Sequence, residues 1–263
     1  MTQIKCMLLT EVEPSTEVFE KYKHWYWQKK ENGVRAIAHI KDHKIVGIRN
    51  RADNPILYQF PELREIVFPF KEAILDGEIC VFKNNKSIFY GGIDKRRSAP
   101  TKKTLEENPA TIVIFDALKV ENEVLVLKPY SYRYSKFAES IKESTNLKVA
   151  KNFSSGLELW NKITQDNLEG VVIKDPNALY EIGKRSKNYQ KLKNYKTVLV
   201  TVKKKEPNDA GTKIYGNAII DSIDIDVECQ LAGMFDIQIG SQHKVRYLDI
   251  VGNKLIQPTK YHK

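Results

Sequence analysis

Short runs of β-branched and aliphatic residues recur along the chain, and turn residues separate several of them. The runs cover residues 34–40, 44–48, 72–82, 110–118, 170–174 and 197–202. Helical patterns lie between them, of which 135–145 and 154–165 are examples, and Ser154 or Ser155 can cap the second. Because tight turns join antiparallel strands whereas parallel strands need long crossovers, the pattern predicts an α+β fold of mainly antiparallel sheets.

The pattern changes near residue 197, after which short strands and turn signals alternate without helices. The turn signal EPNDAG (206–211) is followed by strand-like segments at 214–228, 234–242 and 244–255. Roughly 65 residues of this kind fit a small barrel. We therefore predict one domain over residues 1–196 and a small all-β OB-fold over residues 197–263, whose groove would suit nucleic acid.

The composition is that of a globular protein, with 41% hydrophobic and 29% charged residues in a chain of 263. No apolar run approaches the roughly 20 residues that span a bilayer, and the first residues lack a secretory signal. We therefore expect no membrane association and a cytoplasmic location, in the host if the protein is viral. Cys6, Cys80 and Cys229 are far apart and form no CxxC pair, which argues against a zinc ribbon or a disulfide framework.

The net charge of +10 favours a polyanionic partner. Residues 184–205 contain nine Lys or Arg and no acid, yet they also contain aromatic and aliphatic residues. This mixture is typical of a folded basic face rather than of a solvated tail. The predicted nucleic-acid contacts are Lys184, Arg185, Lys203, Lys204 and Lys205, although the last three also fit a plain solvated face.

A candidate nucleophile stands in the segment Lys30-Glu-Asn-Gly33-Val-Arg35. A lysine attacks phosphorus only as the free amine, so burial or a neighbouring cation must lower its pKa. Glycine allows close approach of the backbone to a nucleotide, and arginine hydrogen-bonds ribose or phosphate. Lys29 lacks Gly33 and Arg35 at this spacing. The pattern alone is weak, and by itself it favours an exposed charged turn over a nucleophile.

Four further segments carry residues suited to nucleotide chemistry. Two of them place carboxylates or an aromatic ring at predicted strand ends, where they would hold Mg²⁺, ribose or a base. The other two place cations along extended segments, where alternate side chains share a face. The segments are Asp76-Gly-Glu78, Phe115-Asp116, Glu169–Lys174 and Lys191-Leu-Lys193. Taken singly, they also fit a hairpin turn at residues 76–77, a core aromatic at 115 and a bulge at Gly170.

In this order, KENGVR, LDGEI, IVIFDAL, EGVVIK and KLK resemble motifs I, III, IIIa, IV and V of the covalent nucleotidyltransferase superfamily. That superfamily contains DNA ligases, RNA ligases and mRNA capping enzymes. Further segments resemble the minimal two-domain form of the ATP-dependent DNA ligases: YEIGKRSKNYQKLK (180–193), Asn50-Arg51 with FPEL (60–63), VRYLDI (245–250) and LIQPTKY (255–261). The resemblance implies an ATP-grasp-like nucleotidyltransferase domain of antiparallel sheets with helices, followed by an OB-fold.

The resemblance also implies a role for each matching residue. Lys30 would attack the α-phosphate of ATP and carry AMP covalently, and the AMP would pass to the 5′-phosphate of nicked duplex DNA before the 3′-hydroxyl displaces it. The other roles are ribose binding by Arg35 and Glu78, adenine stacking by Phe115 and Val172, recognition of the adenine edge by Gln28, binding of Mg²⁺ or Mn²⁺ by Asp76 and Glu169, phosphate binding by Lys174, Lys191 and Lys193, and contact with bound nucleotide and the nick phosphate by Arg51. We expect a monomer.

Two departures from the family pattern affect these expectations. Asn32 replaces the usual aspartate, which removes a negative charge beside Lys30. The loss would ease deprotonation of Lys30 but weaken a ribose or metal contact, and the sequence leaves open which effect dominates. The segment from Pro258 to Lys263 offers lysines where the family uses arginines to orient pyrophosphate, so self-adenylation is slow or the terminal match is loose. Two alternatives stay open: an RNA ligase of the same superfamily, and a catalytically weak OB-type nucleic-acid-binding protein.

Overall fold

The computed structural model describes residues 4–234 and 236–260. The end of the segment predicted to face pyrophosphate, residues 261–263, therefore lies outside the described residues. The chain divides between Leu192 and Lys193 into two compact units. Within the described residues no helix is long and apolar enough to cross a membrane.

The first unit is built mainly from strands, with a few short helices between them. Its strands are β1 (Leu8–Glu11), β2 (Tyr26–Lys29), β3 (Val34–Lys41), β4 (Lys44–Arg49), β5 (Glu72–Lys83), β6 (Lys86–Ile88), β7 (Ala110–Val120), β8 (Glu123–Val124), β9 (Leu147–Val149), β10 (Gly170–Lys174) and β11 (Arg185–Lys193). Its α-helices are α1 (Thr16–Lys21), α2 (Lys102–Glu107), α3 (Tyr130–Ala138) and α4 (Gly156–Gln165), and short 3-10 helices cover Leu57–Gln59, Pro61–Glu65 and Ile93–Arg96.

These strands form two sheets. The larger runs β4-β3-β5-β7-β8, with β6 paired to β5 and β9 to β7, and all its pairings except β7 with β9 are antiparallel among the described residues. The smaller runs β1-β11-β10-β2. Phe60, Leu63, Phe68 and Phe137 are buried in the core against the larger sheet, whereas Trp27 is buried in a core beside β2, β10 and α4. The predicted fold of mostly sheet with few helices is confirmed.

The second unit consists of strands in one sheet, in the order β16-β17-β14-β13-β12-β15-β18. The strands are β12 (Lys196–Asn208), β13 (Gly211–Ile220), β14 (Ile223–Ala232), β15 (Gln242–Tyr247), β16 (Asp249–Val251), β17 (Lys254–Ile256) and β18 (Thr259–Lys260). Inward residues of β12, β13 and β14 alternate with outward ones and close a core around Val200, Ile214 and Leu231. Burial of one face therefore fixes the register of these long hairpins.

Some predicted boundaries are wrong. The helix expected at 135–145 begins at Tyr130 and ends at Ala138, because Tyr130 and Arg133 are anchored in the interior of the first unit. The turn expected at 206–211 shrinks to Asp209 and Ala210. The segment 214–228 is broken by Asp221 and Ser222, both with positive φ, and no strand covers residues 236–241.

Candidate functional site

Lys30 lies just after β2, where this strand pairs with β10. Gln28 stands directly opposite Val172 in the antiparallel register, and the Lys30 backbone N–H donates to the Gly170 carbonyl at 2.9 Å. Because strand side chains alternate, Gln28 and Lys30 lie on one face. Gly33 follows where the chain passes β5, and any Cβ there would overlap the Ile79 carbonyl oxygen. The glycine therefore lets the turn after Lys30 sit against the larger sheet.

The Lys30 ammonium is paired with a carboxylate from the neighbouring strand end. Its Nζ lies 2.8 Å from Oε1 of Glu169. Burial acts to lower the pKa of Lys30, but the negative charges of Glu169 and Glu78 outweigh burial and raise it. This direction is opposite to the lowered pKa that nucleophilic attack requires. Without a ligand, Lys30 is therefore an ammonium ion, and its positive charge would attract a negatively charged ligand.

A pocket opens beside Lys30 between the two sheets of the first unit. Its lining includes most of the residues predicted to bind a nucleotide, together with two neighbours, Lys29 and Tyr189. The predicted residues among them are Gln28, Lys30, Arg35, Glu78, Phe115, Val172 and Lys174. Apart from Lys30, which follows β2, they lie on β2, β3, β5, β7 and β10. The fold thus joins positions as distant in sequence as Gln28 and Lys174.

Arg35 is held in this pocket by a buried carboxylate. Its Nε and Nη2 donate to Oδ1 and Oδ2 of Asp76 at 2.5 and 2.6 Å. The Tyr180 hydroxyl donates to Asp76 Oδ2 at 2.6 Å, and Asp76 is fully buried. The sequence placed Asp76 at a strand end. In the structure it lies inside β5. Its oxygens face an arginine and a tyrosine, which makes it the anchor of Arg35.

Lys174 is buried on the floor of the pocket. Its Nζ donates to the Phe115 carbonyl at 3.0 Å and lies 4.6 Å from the centre of the Phe115 ring. Burial lowers the pKa of Lys174 to about 7, although the charge of Asp116 opposes this. Asp116 is itself neutralised by Arg133, whose Nε and Nη2 donate to it at 2.8 and 2.9 Å. Phe115 lies within β7, not at its end.

A second groove adjoins the pocket and shares Lys30, Arg35 and Glu78 with it. Its other lining residues include Arg51, Arg185 and Lys191. Asn50 Oδ1 accepts from the N–H groups of Ala52 and Asn54, which shapes the loop that carries Arg51. Lys191 is paired with Glu11 at 3.1 Å. Lys30 thus stands at the junction of a partly apolar pocket and a basic groove.

Comparison with known proteins identifies the family. The model of the ATP dependent DNA ligase domain matches residues 6–193. The chain belongs to the ATP-dependent DNA ligase family. Curated ligases of the family include a probable DNA ligase of Dictyoglomus thermophilum, which is 27% identical over 202 residues, covering 72% of this chain and 34% of the relative. The chain spans about a third of the length of the curated relatives that it matches first.

Solved ligase structures share the fold. The ligase domain of LigD from M. tuberculosis has a TM-score of 0.63 at 16% identity, covering 98% of this chain and 93% of that chain. A structure of a Lig E DNA ligase has a TM-score of 0.64 at 14% identity, covering 99% of both chains. Both likenesses concern the fold alone.

Acidic side chains beside Lys30 offer oxygens for a cation. Glu169 has one oxygen on Lys30, whereas its buried Oε2 has no hydrogen-bond partner among the described residues. Burial raises the pKa of Glu78 to about 7, against the opposing charges of Lys30 and Arg35. Within residues 4–234 and 236–260, no three His, Cys, Asp or Glu side chains form a ready-made metal cluster. The unpartnered Glu169 oxygen nevertheless fits a cation ligand.

Four of the remaining predicted contacts lie in the second unit, namely Lys193 and the lysines at positions 203–205. The Lys193 ammonium donates to the Tyr195 hydroxyl at 3.1 Å and to Gln257 Oε1 at 2.8 Å. The three consecutive lysines of β12 are also engaged: Lys203 pairs with Asp226, Lys204 pairs with Glu206, and Lys205 donates to the Ile237 carbonyl. In the first unit, Lys184 is exposed, and Arg185 donates to the Leu9 carbonyl.

Sequence reasoning missed the residues that position the ligase side chains. Tyr180 was quoted only as part of the segment 180–193, with no role. Its hydroxyl nevertheless donates to Asp76, which lies 104 residues away in sequence. Tyr130 and Asn152 belong to no quoted motif, yet both contact the Gln28 amide. Their only signal is a polar side chain beside buried apolar residues, which does not reveal a partner so distant in sequence. The cysteines are buried and unpaired, in accord with the sequence.

Proposed function

We propose that the protein is an ATP-dependent DNA ligase that seals 5′-phosphate/3′-hydroxyl nicks in duplex DNA through a lysyl-AMP and a DNA-adenylate. The position of Lys30 carries this proposal. Its ammonium lies where the pocket of the predicted nucleotide contacts meets the groove lined by Arg51, Arg185 and Lys191. One side chain can therefore receive a group from a ligand in the pocket and pass it to a phosphate in the groove.

In the first step the Lys30 amine attacks the α-phosphorus of ATP. One proton leaves for solvent when the Lys30 ammonium becomes the amine. A nitrogen–phosphorus bond then forms, the bond to pyrophosphate breaks, and the nitrogen releases a second proton while it keeps the third. Glu169 lies 2.8 Å from Nζ and is placed to orient the amine and accept a proton. Lys174 and Lys191 are the cations of the first unit assigned to the phosphates, and Lys193 is assigned the same role by its motif.

The nucleotide is held by the walls of the pocket. Phe115 and Val172 supply apolar surface for the two faces of adenine, and Gln28 lies at its edge. Arg35 and Glu78 are assigned to the ribose. Asp76, which the sequence pointed to as a metal ligand, instead anchors Arg35, because both of its oxygens are hydrogen-bonded inside the protein.

We assign the divalent cation, Mg²⁺ or Mn²⁺, to Glu169, whose Oε2 is buried without a hydrogen-bond partner among the described residues, with Glu78 nearby. When bound, the cation supplies positive charge to the phosphate oxygens. The same charge offsets the two carboxylates that raise the pKa of Lys30.

In the later steps an oxygen of the 5′-phosphate at the nick attacks the lysyl-AMP, and Lys30 leaves as the amine. The 3′-hydroxyl then attacks the activated 5′-phosphate, which closes the strand and expels AMP. Arg51 and Arg185 line the groove on which the nick phosphate would lie. Lys184 and the β12 lysines 203–205 are proposed as sequence-independent backbone contacts.

The proposal extends to the domain organisation. We propose that residues 1–196 form the adenylation domain and residues 197–263 an OB-fold domain that covers the DNA. Support comes from the division of the chain after Leu192 and from the sheet of β12 to β18. A monomeric state and a cytoplasmic location stay predictions.

The test is incubation of the full chain and Mg²⁺ with α-labelled ATP or GTP, or with NAD labelled at its adenylate phosphate, followed by addition of nicked duplexes. We expect covalent label from ATP and sealing of nicked DNA. Sealing of nicked RNA but not of nicked DNA would make the protein an RNA ligase. Absence of covalent label with every nucleotide would contradict the proposal and favour a nucleic-acid-binding protein.

A further inference from the structure

The side-chain amide of Gln28 is held in one orientation. Gln28 is 2% exposed, and its Nε2 lies 2.9 Å from the Tyr130 hydroxyl, 2.9 Å from Asn152 Oδ1 and 3.3 Å from the Ala150 carbonyl oxygen. All hydrogen bonds found for this amide among the described residues involve the nitrogen. A backbone carbonyl only accepts, so the contact with Ala150 requires the nitrogen, not the oxygen, on this side.

The Tyr130 hydroxyl acts as an acceptor toward Gln28 for a related reason. Its single proton has two acceptors within reach, the Phe115 carbonyl at 3.2 Å and Asn152 Oδ1 at 3.4 Å, and Lys174 Nζ approaches the same hydroxyl at 3.4 Å. Tyr130 is fully buried and packs against Tyr134 and Tyr189, so its ring is fixed. Tyr130 and Ala150 therefore both select the amide nitrogen, and Asn152 completes the set with its own amide oxygen.

The consequence lies on the other side of the amide. With the two N–H groups of Nε2 directed to the Tyr130 hydroxyl and Asn152 Oδ1, and the Ala150 carbonyl beside them, Oε1 is the group that Gln28 presents to the pocket that it lines. An amide oxygen accepts a hydrogen bond and repels another carbonyl oxygen. We propose that Asn152 and Tyr130 are positioning residues that set the base specificity of the site, by holding the Gln28 oxygen toward a purine with an exocyclic amino group at its facing edge. The inference rests on the proposed nucleotide site and identifies what makes it selective for adenine.

Asn152 is the residue to change, because it lies at the half-buried edge of the network. Asn152→Leu keeps a similar size but removes the acceptor, which allows the Gln28 amide to turn. Asn152→Ser, too short to reach the amide, is a second variant with the same expected effect. Asn152→Asp keeps an oxygen acceptor and is the conservative rescue. Tyr132→Phe is the matched control, since the Tyr132 hydroxyl, on the same helix as Tyr130, donates to Glu123 Oε1 at 2.8 Å in an exposed contact away from Gln28.

The readout is the rate of lysyl-nucleotide formation, as kcat/KM, with ATP, with purine riboside triphosphate and with inosine triphosphate. Purine riboside triphosphate lacks the amino group, and inosine triphosphate has a carbonyl in its place. A general loss of stability lowers all three rates, whereas loss of positioning changes their ratio. We expect the wild type, Asn152→Asp and Tyr132→Phe to prefer ATP over purine riboside triphosphate by about 3- to 10-fold, the effect of one neutral hydrogen bond.

In Asn152→Leu and Asn152→Ser this preference should fall, because one of the three acceptors that orient the amide is lost, and inosine triphosphate should improve relative to ATP. An unchanged ratio in both variants, or an equal loss in Tyr132→Phe, would overturn the inference while leaving the ligase proposal intact. Failure of the wild type to form a covalent adduct with any of the three would instead remove the proposed function, and this inference with it.

Discussion

Lys30 is held as an ammonium ion by Glu169 and Glu78, although its proposed chemistry needs the free amine. The carboxylates raise the pKa of Lys30 more than burial lowers it. Asn32 leaves no acid at its own position, but these two acids come from other strands. A nucleotide with its cation changes this balance, because bound positive charge favours the neutral amine. The charge of Lys30 thus depends on whether ligand is present.

This balance gives a prediction at the scale of one residue. Glu169→Gln removes the negative charge nearest to Lys30 Nζ, so the pKa of Lys30 in the ligand-free protein should fall. Lys30 would then react with an amine-acylating reagent at lower pH than in the wild type, as followed by mass spectrometry across a pH series. Glu17→Gln, at an exposed acid of α1, should leave the profile unchanged. A Glu169→Gln profile that overlays the wild type would contradict the assignment.

At the scale of elements, an ion pair joins α3 to the floor of the pocket. Arg133 and Asp116 are both fully buried, and the Tyr189 hydroxyl donates to the same carboxylate at 2.9 Å. Arg133→Met leaves Asp116 with an uncompensated buried charge. We expect a loss of about 3–5 kcal/mol in the free energy of unfolding, measured by denaturant titration.

The control for this loss is an exposed pair. Lys103→Ala breaks the pair with Glu107 on α2, which should cost at most about 0.5 kcal/mol. Equal costs for Arg133→Met and Lys103→Ala would show that the buried pair does not hold α3 in place.

Local sequence signals correctly predicted the strands and helices whose ends are set by nearby residues. The run 170–174 is β10, and Ser155 caps α4 through the Glu158 N–H. These signals gave a wrong boundary where contacts between residues distant in sequence determine the position of a helix. The polar stretch after Ala138 has helical periodicity, but α3 starts earlier because Tyr130 and Arg133 reach partners on β2, β7 and β11.

The candidate site shows the same division between local and distant information. The order of the motifs was sufficient to name Lys30, Arg35, Phe115 and Lys174, and the pocket lining includes all four. It did not reveal that Asp76 binds Arg35 inside the protein, since Asp-Gly looks like a turn or strand end in isolation. It also gave no sign of Asn152, whose role depends on a contact across 124 positions.

At the scale of the whole molecule, the net charge of +10 favours a polyanion, and the proposal assigns its phosphates to the groove lined by Arg51. Arg51→Ala should weaken binding of nicked DNA and reduce the steepness of log K against log salt by about 0.9 for one lost phosphate contact. Fluorescence anisotropy across a salt series measures both.

The matched variant is Lys23→Ala, which removes one positive charge from an exposed pair with Glu20. It should leave the salt dependence close to that of the wild type. Equal slopes for the Arg51→Ala and wild-type proteins would place the nick phosphate away from the groove.

The most direct measurement is the site of covalent attachment, because the chain offers two adjacent lysines that the proposal separates. Lys29 lies 3.2 Å from Glu31, whereas Lys30 faces Glu169 and the junction of pocket and groove. Wild type, Lys29→Ala and Lys30→Ala are each incubated with α-labelled ATP and Mg²⁺, and the labelled peptide is mapped by mass spectrometry. We predict AMP on Lys30 in the wild type and in Lys29→Ala, and no adduct in Lys30→Ala. An adduct that persists in Lys30→Ala, or that maps to Lys29, would contradict the assignment of Lys30 as the nucleophile.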